Sequence, residues 1–181
     1  MTGSGVKFLN AEDVERAIVE VAGLSKGMGA SPMLVDGAAM QLYGSDRMTR
    51  DVDFVVKKVP PRIRVEKKLS FGGVSGKTPE GFPVCFIVRS DDFKKLYIEA
   101  HRKSVAVSGL AVRVVAPAYL AAMKLVAGRQ KDEEDLRTLL RNRMVNLKKA
   151  RELMRRILGA FAVKEFDSYV DEVEWRRSRG E

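Results

Sequence analysis

Apolar residues recur along the chain at two spacings, and each spacing predicts an element type. Val14, Ala17, Ile18 and Val21 stand three and four apart, which gives a helix over Ala11 to Leu24 one apolar face. Asn10 stands where a cap is needed, and Glu12 and Asp13 occupy the first turn, where the helix dipole favours acids. Gly27 and Gly29 end this helix, and Pro32 leads into a short apolar run, Met33 to Val35, that reads as a strand. Gly37 opens a small-residue segment, Ala38 to Tyr43, suited to a second helix. Arg50 to Val56 then alternates. Residues two apart in a strand share a face, so Val52, Phe54 and Val56 point to a core while Asp51 and Asp53 point the other way.

The pattern continues to the end of the chain. Pro60 and Pro61 break the second strand and make a basic loop of Lys57 to Arg64. Phe71 to Thr78 is glycine-rich but fails the phosphate-loop spacing by one residue, so it reads as a flexible hairpin loop. Phe82 to Val88 is the third strand, with Cys85 on the face opposite Val84, Phe86 and Val88. Ser90 is placed to cap a helix from Asp91 to about His101, with Phe93, Leu96, Tyr97 and Ala100 on its apolar side. Val105 to Val107 and Leu110 to Val115 read as a hairpin. Pro117 starts a helix that Gly128 stops, and another begins near Lys131 with acids in its first turn. From Asn146 the chain is helical, with Leu147, Ala150, Leu153, Met154, Ile157 and Phe161 spaced for packing, and a final helix carries Phe166, Tyr169, Val170 and Val173. The expectation is an α/β (α+β) fold: a small mixed sheet of about five strands flanked by helices, with a helical C-terminal part. The domain reading is residues 1–142, followed by a helical extension over 143–181 packed on it.

Composition narrows the classes. A chain of 181 residues with 45% hydrophobic content can bury a core. Lys plus Arg number 33 against 24 acids, a formal charge of +9 that favours an anionic partner such as a nucleotide or RNA. One cysteine and one histidine exclude a disulfide framework, a cysteine zinc cluster and a histidine-rich metal site. No run of about 18 apolar residues is present, and Met1 to Lys7 carries no apolar signal core, so the expected location is cytoplasmic, with no membrane partner.

The candidate chemistry centres on Asp51 and Asp53. Two carboxylates on one strand face repel each other, and a divalent cation relieves that; oxygen ligands of this kind suit Mg²⁺. The glycine turn at Gly37, the small residues after it, Tyr43, Arg47-x-Thr49 and the Asp-hydrophobic-Asp of Asp51 and Asp53 resemble the DNA polymerase β-like nucleotidyltransferase superfamily. They resemble more closely its compact branch of AbiEii-type toxins of toxin–antitoxin systems. The resemblance covers roughly Met33 to Leu140. It implies an enzyme that moves a nucleotide monophosphate from an NTP, such as ATP, to an acceptor: RNA or tRNA, a protein or a small molecule. It implies nucleotide binding by Gly37, Ala38, Arg47 and Thr49, Mg²⁺ on Asp51 and Asp53, and an antitoxin protein as partner. Pro117, Met123-Lys124-Leu125 and Asp132 resemble the same branch, whose active centre there includes a lysine and an aspartate; carried over, these are Lys124, which also binds phosphate, and Asp132, with Asp135 as alternate. A lysine in an apolar helix needs an anion, which agrees.

Two positions depart from the pattern. Asp36 stands before Gly37 where relatives carry Gly or another small residue, and its charge opposes a triphosphate unless a metal or lysine compensates. Cys85 stands where a third carboxylate is usual, so either two aspartates suffice, Glu80 reaches in, or the domain is a degenerate one that binds nucleotide or RNA without turnover.

Overall fold

A computed structural model describes residues 8–29 and 31–180; Met1 to Lys7, read above as lacking an apolar signal core, lies outside the described residues. The chain divides into two compact units, Met1–Gln41 with Asp46–Val115, and Leu42–Ser45 with Ala116–Glu181. The division after Val115 differs from the sequence-based boundary at 142.

The first unit contains the sheet. Its elements are α1 (Ala11–Leu24), β1 (Met33–Val35), α2 (Asp36–Leu42, whose last residue is grouped with the second unit), β2 (Val52–Val55), β3 (Arg64–Lys68), β4 (Gly73–Lys77), β5 (Pro83–Ile87), α3 (Lys94–Arg102), β6 (Val105–Ala106) and β7 (Arg113–Val114). Among the described residues the sheet has seven strands rather than about five, ordered β3-β4-β5-β2-β1-β7-β6. It is mixed: β2 runs parallel to β5 and antiparallel to β1, and β1 runs parallel to β7. β2 and β1 are central, which is why Met33, Leu34, Val35, Val52 and Phe54 are fully buried. Phe54 and Phe86 lie opposite each other in register, and their rings stack 5.7 Å apart, a pairing worth about 0.5–1.5 kcal/mol beyond burial. Asn10 caps α1 as expected, its Oδ1 accepting from the Asp13 amide at 2.7 Å.

Two sequence-based expectations in this unit are corrected. The glycine-rich stretch is not a flexible hairpin loop: Gly73–Lys77 is strand β4, paired on both sides with β3 and β5. A Cβ on Gly76 would sit 2.2 Å from the Arg64 carbonyl oxygen, and one on Gly73 would sit 2.0 Å from that of Phe86. These glycines serve close backbone approach, not mobility. Ser90 does not cap α3, which begins at Lys94 after Phe93; the Asp91 Oδ1 accepts from the Phe93 amide at 3.3 Å and so turns the chain before the helix.

The second unit holds four helices among its described residues: α4 (Pro117–Ala127), α5 (Gln130–Arg141), α6 (Leu147–Ile157) and α7 (Ala160–Ser178). Pro117 stands in the first turn of α4 and Gly128 closes it at φ 59°, the left-handed conformation that glycine adopts without strain. α4 packs on α5 and α6, and α7 on α5 and α6, around Leu120, Leu136, Leu139, Met154 and Phe166. Phe161 does not join α6. That helix ends at Ile157, Gly159 turns at φ 92°, and Phe161 lies 78% exposed on α7. No helix among the described residues is long and apolar enough to cross a membrane.

Candidate metal centre

The centre is built on the parallel pair β2 and β5. Phe54 and Phe86 stack on one face, so their neighbours Asp53 and Cys85, also opposite each other in register, fall on the other. Asp51 joins them from the residue before β2. One ligand atom from each of Asp51, Asp53 and Cys85 lies within 4.8 Å of the other two, a spacing that could hold a metal ion, and all three are partly exposed. Glu80 takes no part: it is exposed, its Oε2 accepts from Arg16 Nη2 at 3.0 Å, and its amide donates to Glu20.

Cys85 faces the aspartates. Its Sγ–H donates to Asp51 Oδ2 at 3.2 Å. Burial, and then the negative charges of Asp53 and Asp51, push the thiol well above its ordinary range, so it stays protonated near neutral pH. A protonated thiol is a donor to the aspartates, not a ligand for a hard cation. The donor set that fits Mg²⁺ is therefore two carboxylates.

The residues around Gly37 support the turn into β2. The Thr49 hydroxyl donates to the Asp51 carbonyl at 2.7 Å, and the Thr49 carbonyl accepts from the Leu9 amide at 2.9 Å. Thr49 is buried, so its hydroxyl positions Asp51. A Cβ on Gly37 would meet the Thr49 Oγ1 at 2.7 Å, so the glycine is required by this packing whatever else it serves. Ala38 is 2% exposed, so the residue offers almost no open surface to a ligand. Asp36 begins α2 at φ 48°, and its Oδ1 lies 3.9 Å from Arg47 Nη2. Arg47 is thus one cation close to the charge of Asp36.

Lys124, Asp132 and Asp135 come together within the second unit. All three side chains are nearly inaccessible, and Lys124 Nζ lies 3.0 Å from Asp132 Oδ1 and 2.7 Å from Asp135 Oδ2. Asp132 and Asp135 are three apart on α5 and so share a face. Arg129 Nη2 also donates to Asp132 Oδ1, at 3.2 Å. The anion that a lysine in an apolar helix requires is here supplied by two carboxylates.

Sequence reasoning passed over the cations of α3. Lys94, Ile98 and Arg102, with Tyr97 and His101 between, line a cavity together with Lys57 and Arg89. The signal was present as the four-residue spacing of Lys94, Ile98 and Arg102, which places them on one helix face.

No protein-family profile matches the sequence, and no curated protein matches it. Solved structures do resemble it. One is an antigenic nucleotidyltransferase-like protein from Paracoccidioides brasiliensis, at 16% identity and TM-score 0.49, covering 74% of this chain and 78% of its own. Another is a candidate nucleotidyltransferase from H. pylori, also at 16% identity and TM-score 0.49, covering 94% of this chain and 96% of its own. Likenesses of this size assign no reaction.

Proposed function

We propose that the chain is a Mg²⁺-dependent nucleotidyltransferase that transfers a nucleotide monophosphate from an NTP to an acceptor: RNA such as tRNA, a protein or a small molecule. The observation that carries this reading is the convergence of Asp51 and Asp53 on the exposed face of a central strand pair, with their ligand atoms within 4.8 Å. Asp51 and Asp53 would hold the cation, which when bound aligns the triphosphate and neutralises charge at phosphorus. Thr49 fixes the backbone of Asp51, and Arg47 offsets the charge of Asp36, which otherwise opposes an incoming triphosphate. The reaction breaks the α,β-phosphoanhydride bond, forms a bond from the acceptor oxygen to the α-phosphorus, and releases pyrophosphate. The phosphate-binding role expected for Lys124 is not carried further, because Lys124 is buried against Asp132 and Asp135; their contacts at 3.0 and 2.7 Å support Asp132 only as a carboxylate that holds the lysine in place. The resemblance to AbiEii-type toxins extends the proposal to a toxin held by an antitoxin protein.

One observation favours a second reading. A protonated Cys85 hydrogen-bonded to Asp51 stands where a third carboxylate would complete the metal set, which suits a domain that binds nucleotide or RNA without turnover.

Incubation with each labelled NTP, Mg²⁺ and total tRNA separates the two. Transfer of label to tRNA, lost in Asp53→Asn, is the expected result. Metal-dependent nucleotide affinity that is unchanged in Asp53→Asn would overturn the assignment of the centre, and metal-dependent binding without transfer to any acceptor would leave the second reading.

A further inference from the structure

The first unit has a second opening that the proposed reaction does not use. Val55, Val56 and Val88 lie at or just past the carboxyl ends of the parallel strands β2 and β5, and α3 walls the cavity in front of them. Its volume is about 470 Å³, within the range of small-molecule sites. None of Asp51, Asp53 and Cys85 lines it. Outside the carboxyl ends of parallel strands is where open α/β sheets commonly bind ligands.

Its lining is of two kinds. One part is apolar: the three valines, Ile98, which is 43% exposed, and the ring of Tyr97. The other is cationic: Lys57, Lys94, Arg102 and Arg89, with no acidic side chain among the described lining residues. Lys57, Lys94 and Arg102 are exposed and form no ion pair among the described residues. Arg89 is fixed in place. Its Nε donates to Asp91 Oδ1 at 2.8 Å, and its guanidinium lies 4.6 Å from the Phe71 ring centre and 4.7 Å from that of Tyr97. His101 is fixed as well, its Nε2 lying 2.8 Å from the Ser31 carbonyl oxygen. A carbonyl oxygen only accepts, so Nε2 carries the hydrogen and Nδ1 is the ring's other nitrogen. Arg89 is balanced by Asp91, but Lys57, Lys94 and Arg102 gather around an apolar wall without acids paired to them and call for an anion, and the wall calls for an anion that carries a ring or hydrocarbon.

We infer that this cavity binds a mononucleotide unit, with its phosphate against Lys94, Arg102 and Lys57 and its base against Tyr97 and Ile98. The inference stands on the cavity alone and does not depend on the reaction proposed for Asp51 and Asp53. A free nucleotide and one residue of an RNA chain share this chemistry.

The test is calorimetric titration in EDTA, where the carboxylate centre is without metal. The probes are the four nucleoside monophosphates, inorganic phosphate, adenosine and a short oligoribonucleotide. Saturable binding of at least one monophosphate, tighter than either phosphate or adenosine, is expected. Lys94→Ala/Arg102→Ala should weaken it about tenfold or more, through two lost charge-assisted contacts. Ile98→Glu, which places a carboxylate on the wall at an exposed position, should also abolish it. Asp53→Asn should leave it unchanged, which separates failure here from failure at the metal centre. Stronger binding of the oligoribonucleotide would identify an RNA chain as the source, and stronger binding of the monophosphate a free nucleotide. The inference is overturned if no monophosphate or oligonucleotide binds, if phosphate alone binds equally well, or if both cavity variants bind as the wild type does.

Discussion

Replacing Cys85 by aspartate gives the sharpest reading of the metal centre. The thiol lies 3.2 Å from Asp51 Oδ2, and its ligand atom is within 4.8 Å of both carboxylates. A third carboxylate there would meet two negative charges. At an effective dielectric near 20 each such pair costs about 3–4 kcal/mol, an upper figure because the site is partly exposed and solvent screens it. After that discount, a loss of about 2–3 kcal/mol in the absence of metal is expected for Cys85→Asp. In a chain of this size that lowers Tm by about 4–12 °C in EDTA. Mg²⁺ should return most of it, since an ion present at about a hundred times its Kd stabilises the folded state by about 2.7 kcal/mol. The assay is the Tm of wild type and variant, each in EDTA and in excess Mg²⁺, together with nucleotide transfer. The variant should show the larger metal response and turnover at least as high as the wild type. An equal loss with and without Mg²⁺ would mean that the new carboxylate is buried away from Asp51 and Asp53. No loss in either condition would mean that it meets solvent. Either result refutes the geometry argued for Cys85.

Other consequences are equally direct. Lys124→Met leaves Asp132 and Asp135 buried with less compensation and should cost about 3–5 kcal/mol in denaturant unfolding; a loss below about 1 kcal/mol would show that the ion pairs do not form. Gly37→Ala forces a Cβ to within 2.7 Å of the Thr49 hydroxyl and should cost about 1–3 kcal/mol, measured by thermal unfolding. The raised pKa of Cys85 means that the folded chain holds the thiol proton above the ordinary value of 9.0, where the unfolded chain releases it. That contribution is therefore fully present below this pH and is lost as pH rises through and above it, with a slope of up to about 1.4 kcal/mol per pH unit. Stability curves of wild type and Cys85→Ser across this range should diverge, the wild type falling more steeply, and parallel curves would refute it.

What the sequence determined by itself was local. The three- and four-residue spacing of Val14, Ala17, Ile18 and Val21, with Asn10 before it, was enough to place α1 and its cap. Pro117 and Gly128 bounded α4 to the residue, because each acts through its own backbone conformation. The face of Asp53 followed from strand alternation, and so did the side of β5 on which Cys85 lies; Asp51, read from the sequence as part of the same strand, stands just before β2 and reaches the group from there. What the sequence could not show depends on which segment lies beside which. Glycines that look mobile in a single strand become necessary only when β3 and β5 lie against β4, bringing the carbonyls of Arg64 and Phe86 to where side chains would be. Ser90 had the chemistry of a cap, but packing and the Asp91 turn set the start of α3. The partner of Lys124 was legible as a need for an anion; which anion met it depended on α5 presenting Asp132 and Asp135 to α4. The cavity at the ends of β2 and β5 belongs to tertiary structure entirely, since Lys57, Arg89 and Arg102 lie far apart along the chain and meet only once the strands are paired and α3 is laid across them.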